Sequence, residues 1–117
     1  MTRRKGGTIL RLDVPDGSMR AAISEAARTI PLVCLSGRAY LALVDECGDS
    51  ERAAEWVLQL TTRVNRPIGI HIGDDTQFFS PAGWTSERLA GYVAGLHAEL
   101  ETAFGPVSSM GPGPRNP

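Results

Sequence analysis

The stretch Pro67–Asp75, PIGIHIGDD, alternates with the period of a β-strand: Ile68, Ile70 and Ile72 fall on one side, Gly69, His71 and Gly73 on the other. Wound as a helix, the same residues would scatter the isoleucines around its circumference. Three β-branched residues on one face need an apolar layer to lie against, so the chain must build a sheet with at least one covered face. Asp74 and Asp75 then end the strand in turn chemistry.

Upstream, TILRLDV at 8–14 predicts a strand closed by the turn PDG. Ser18 is placed to cap a helix whose apolar stripe is Met19, Ala22, Ile23, Ala26, Ala27 and Ile30, and Pro31 stops it. A second helix is predicted from a cap at Asp49 or Ser50, with Ala53, Val57, Leu60 and Val64 inward and Trp56 at the stripe's edge. A third begins at Thr85 or Ser86, carries the seam Leu89, Val93, Leu96, Leu100, Ala103 and stops at Gly105. Before it, TQFFS reads as a short strand and PAGW as a turn.

Between the first two helices, PLVCLSGRAYLALVDE offers two apolar runs split by SGR. These read as two strands of a hairpin, with Gly37 supplying a positive φ. The run Ala39–Val44 is apolar on both faces, which suits a central strand or a subunit contact.

The predicted order is β-α-β-β-α-β, then a short strand and a C-terminal helix. It suits an α+β, ferredoxin-like (split βαβ) sheet with helices on one face. The alternative is a profilin- or roadblock-like α/β sandwich, with an antiparallel sheet between helices. Residues 8–105 make a single domain on this reading, residues 1–7 a flexible basic start, and residues 106–117, rich in Pro, Gly and Ser, a disordered tail.

At 117 residues the chain supports one core. Twelve basic against thirteen acidic residues leave a net charge of −1, so no global field draws a polyanion, and nucleic acid is not an expected partner. No apolar run approaches the roughly 20 residues of a spanning helix, and the basic start lacks the apolar stretch of a secretory signal. A cytoplasmic protein without a membrane partner is expected. Cys34 reads as a buried small hydrophobe and Cys47 as a loop residue beside Gly48. Their spacing, with His71 and His97, matches no zinc pattern, so no metal or other cofactor is expected.

Candidate chemistry centres on His71, with Asp74 and Asp75 as weak catalytic partners through acid–base or metal-assisted chemistry. Adjacent aspartates on an extended backbone point apart and chelate poorly. The acidic stretch DECGD at 45–49 lies at the opposite sheet edge in the ferredoxin-like order, too far to help. Neither Ser36 nor Ser80 lies in a nucleophile elbow, and no glycine loop matches a phosphate-binding fingerprint.

The binding candidates are Gly69, His71 and Gly73, whose bare backbone permits close approach, and the aromatic residues Phe78, Phe79 and Trp84. Too few reactive groups converge for chemistry to be the chain's main task. The sequence therefore reads as a small non-catalytic binding or regulatory module, homodimeric or protein-binding, with the His71-centred enzyme as the alternative.

Overall fold

A computed structural model describes residues 8–73, 75–96 and 99. Along the chain these form β1 (Ile9–Leu12), α1 (Met19–Thr29), β2 (Leu32–Ser36), α2 (Gly37–Cys47), α3 (Ser50–Val64), β3 (Ile68–Ile72), β4 (Asp75–Phe79) and α4 (Ser86–Gly95). The strands make one mixed sheet in the order β1-β2-β3-β4, parallel through β3, with β4 antiparallel to β3. The fold is α+β, with four strands and four helices.

The order dictates the layers. Each step from β1 to β2 to β3 moves in one direction across the sheet, and crossovers between parallel strands take one hand, so both connections must lie on the same face. Accordingly α1, α2 and α3 share a core with Val33, Leu35, Ile68 and Ile70. The opposite face is left to α4, whose Val93, Leu89 and Leu96 pack on Leu32, Cys34, Ile9 and Phe78. The isoleucine face of β3 is thus the helix-packed side, as its alternation implies, except that Ile72 at the strand's end is 52% exposed.

The predicted hairpin over 32–44 is not formed. Its first strand is β2, but the run Ala39–Val44 lies inside α2, so the ferredoxin-like order gives way to β-α-β-α-α-β-β-α. The cause is local: Ser36 Oγ accepts from Ala39 N at 3.0 Å, capping a helix where the hairpin needed a turn. Ala39 and Leu43 are fully buried four residues apart, with Tyr40, Val44 and Cys47 beside them against the core. A short run apolar on both sides satisfies either period, and here the helical one wins. Cys47 is the last residue of α2 rather than a loop residue. The sandwich alternative is right in having helices on both faces, but its antiparallel sheet is replaced by a largely parallel one.

The other caps fall where expected: Ser18, Asp49 and Thr85 each accept from a backbone N–H in the first turn of α1, α3 and α4. Met19, Ile23, Ala26, Ala27, Ala53, Val57 and Leu60 are buried. Leu100, Ala103, Gly105, the basic start and the Pro/Gly/Ser tail lie outside the described residues. No helix among the described residues is long and apolar enough to cross a membrane.

Candidate functional site

Alternation along β2 and β3 carries Ser36 and His71 onto the α4 side of the sheet, where the register sets them side by side. His71 is in turn the register partner of Thr76, and its Nδ1 lies 2.8 Å from Thr76 Oγ1. On the other flank, Ser36 Oγ donates to Asp13 Oδ1 at 2.9 Å. Asp13, Ser36, His71 and Thr76 therefore form a polar row across the carboxyl ends of β1, β2 and β3 and the start of β4. Helix α4 is anchored at the other end of the sheet: Tyr92 Oη donates to Pro31 O at 2.8 Å and Trp84 Nε1 to Asn65 Oδ1 at 2.9 Å.

The row also serves the fold. Ser36 Oγ is occupied twice, accepting from Ala39 N and donating to Asp13. The hydrogen bond from Ser36, with a second from Val14 N, holds the Asp13 carboxyl below its ordinary value, and Arg38 and Arg11 act in the same direction. A carboxylate made less basic is a poor acceptor for the serine proton. The carboxyl ends of β1–β3 also lack the divergence of crossovers to opposite faces that opens a ligand crevice in parallel sheets.

The remaining candidates separate. Gly69 is buried, and a Cβ there would stand 3.0 Å from both Cys34 Sγ and Phe78 Cε1, so its bareness admits the α4-side packing. Gly73, with φ 62°, turns the chain between β3 and β4 and is exposed. Asp75 pairs in register with Ile72, which places it on the opposite side of the sheet from His71. Asp74 lies outside the described residues. Among the described residues no three of His, Cys, Asp and Glu come close enough to hold a metal ion.

The aromatic residues do not share a surface. Phe78 packs on the α4 side. Phe79 packs on the other, with its ring centroid 6.5 Å from that of Tyr40. Trp84 stands edge-on to Tyr92 at 5.3 Å, and the Arg88 guanidinium lies 4.1 Å from its ring centroid. These contacts close α4 onto the body of the protein.

The exposed face of α2 went unread in the sequence. Leu41, 67% exposed, has the largest exposure among the described large hydrophobics. Arg38, Leu41 and Asp45, spaced by three and four residues, form one outward stripe with the half-buried Ala42. Neither Arg38 nor Asp45 makes a salt bridge among the described residues. The signal lay in the apolar run 39–44, which has one leucine more than a helix facing a single core needs.

Compared with protein-family models, curated proteins and solved structures, the chain matches none. What fold and site define is a four-stranded mixed-sheet α+β domain with a polar row at one end and, among the described residues, an exposed helix face beside it.

Proposed function

We propose that the chain is a small regulatory module acting through protein contact, and that it associates with a second copy of itself through the outer face of α2. The observation that carries this is the self-complementarity of that face. Two copies of α2 packed antiparallel about a two-fold axis set Arg38 of each opposite Asp45 of the other and Leu41 opposite Ala42, a large residue against a small one. Exposed Ile72 adjoins the start of the helix: a Cβ on Gly37 would lie 4.0 Å from Ile72 Cγ1. Cytoplasmic residence agrees with the two free thiols, Cys34 and Cys47.

Sedimentation equilibrium tests it. The wild-type chain is expected to show a concentration-dependent dimer, and Leu41→Asp a monomer with unchanged circular dichroism. Arg38→Asp weakens the dimer, and adding Asp45→Arg restores it by exchanging the charges. A wild-type chain that stays monomeric at about 1 mM, a concentration that detects association as weak as roughly 4 kcal/mol, removes the self-association.

A second reading, a small enzyme using acid–base chemistry at His71, draws on the polar row around it. A turnover abolished by His71→Ala with the oligomeric state intact would favour this reading over contact.

A further inference from the structure

Helices α1 and α3 both return to the amino end of the sheet, because each leads into the start of a parallel strand. Their last turns therefore lie close together, and so do the arginines there. An open groove of about 470 Å³ runs between them, lined by Ser24, Arg28, Leu60, Arg63, Val64 and Arg66. Among the described residues, three guanidinium groups and no carboxylate line it. Arg66 is held in place from behind, its Nη1 donating to Ala27 O at 3.0 Å and Ile30 O at 3.4 Å, the carbonyls at the end of α1.

We propose that this groove binds a phosphate-type oxyanion, free or carried on a small organic body, with Arg28, Arg63 and Arg66 as its ligands. Arg28 and Arg63 each have a local reason to stand in a last turn, since a cation there complements the helix dipole. Arg66, which follows the end of α3, is likewise set against helix-end carbonyls, those of α1, but none of these reasons calls for three cations around one open volume, where mutual repulsion opposes the arrangement. An oxyanion relieves the repulsion and accepts charge-assisted, two-pronged hydrogen bonds from guanidinium groups. Leu60 and Val64 give the groove an apolar side, and its volume lies within the range of small-molecule sites, about 300–1,000 Å³. This favours an organic phosphate over the bare ion. The negative total charge of the chain is no obstacle, because recognition here is local.

The groove lies at the opposite end of the sheet from the polar row, so its test is independent of self-association. Titration calorimetry of the full chain with phenyl phosphate, inorganic phosphate and phenol, at matched ionic strength, is the experiment. Phenyl phosphate is expected to bind once per chain with Kd below about 1 mM. Arg28→Gln combined with Arg63→Gln, both exposed positions, is expected to weaken it at least about tenfold. Arg52→Gln, on the first turn of α3 and away from the groove, leaves it unchanged. Inorganic phosphate binding as tightly as phenyl phosphate identifies a site for the free ion; weaker binding identifies one for organic phosphates. The absence of saturable phosphate binding by wild type, equal binding by the double variant, or phenol binding as tightly as phenyl phosphate overturns the proposal.

Discussion

Glu46, near the end of α2, reaches back to Arg20 in the first turn of α1, with Oε2 2.8 Å from the Arg20 Nε. The same carboxylate accepts from Ser18 Oγ at 2.8 Å, Met19 N at 2.8 Å and Arg20 N at 3.3 Å. One side chain thus satisfies the free N–H groups that open α1 and ties that helix to α2.

The Glu46 network makes stability depend on acid. Its hydrogen bond with Arg20 leads the effects that lower the Glu46 carboxyl to about 2 from its ordinary 4.5, with Ser18 and the two backbone N–H groups assisting against partial burial. A carboxyl depressed by folding contributes fully above its unfolded value and loses that contribution as pH falls towards the folded one. Urea unfolding between pH 5 and about 2 is expected to show the loss. With Arg20 about half exposed, solvent screening holds the contribution to about 1–2 kcal/mol. Glu46→Gln loses the same amount at neutral pH and removes this component of the acid dependence.

Gly69 and Gly73 are both glycine, for different physical reasons. Gly69→Ala forces a methyl against Cys34 and Phe78 and is expected to cost about 1–3 kcal/mol. Gly73→Ala meets nothing within 4 Å, but takes a side chain to φ 62°, at a cost of about 1 kcal/mol. Chemical denaturation measures both, and a lengthened Gly73 substituent adds nothing further while one at Gly69 does.

Ser36→Ala removes the cap of α2, with an expected loss of about 1 kcal/mol in thermal or urea unfolding. It also takes from Asp13 the leading cause of its lowered carboxyl. In an NMR titration the Asp13 carboxyl of that variant therefore moves up towards its ordinary value.

Cys34 is fully buried, and desolvation pushes its thiol up to about 12. It is expected to resist alkylation in the native state at pH 8 and to react once the chain is unfolded. Mass spectrometry of the labelled chain distinguishes it from Cys47, which is only half-buried.

Tyr92→Phe keeps the ring against Trp84 but deletes the hydrogen bond to Pro31 O. A loss of about 1 kcal/mol is expected, accompanied by faster hydrogen exchange in α4. Exchange in α1 and α3 is expected to change less, because they belong to the other core.

Strong local signals were legible in the sequence: the alternation of Ile68–Ile72, the helix caps at Ser18, Asp49 and Thr85, and the stripe through Met19, Ile23 and Ala27. The segment after Ser36 was not, because a six-residue run apolar on both sides fits a buried strand as well as a helix between a core and an exposed face. Misreading it turned a mixed, largely parallel sheet into an antiparallel one and concealed Leu41 as a surface residue. Of the candidate site, His71 was legible as the polar residue on the glycine side of the alternating strand Ile68–Ile72. Its neighbours Asp13, Ser36 and Thr76 come from three other strands or strand ends, a proximity created only by sheet register. The arginine groove depends likewise on two helix ends 35 residues apart, Arg28 and Arg63, arriving at the amino end of the sheet.

Because the strands lie in space in the order in which they are synthesised, every new strand from the ribosome meets a template already laid down. No strand must be inserted between two others, and none waits for a later one before it can pair. The sheet can therefore lengthen sideways during translation, with α4 closing afterwards over the exposed Leu32–Cys34 side.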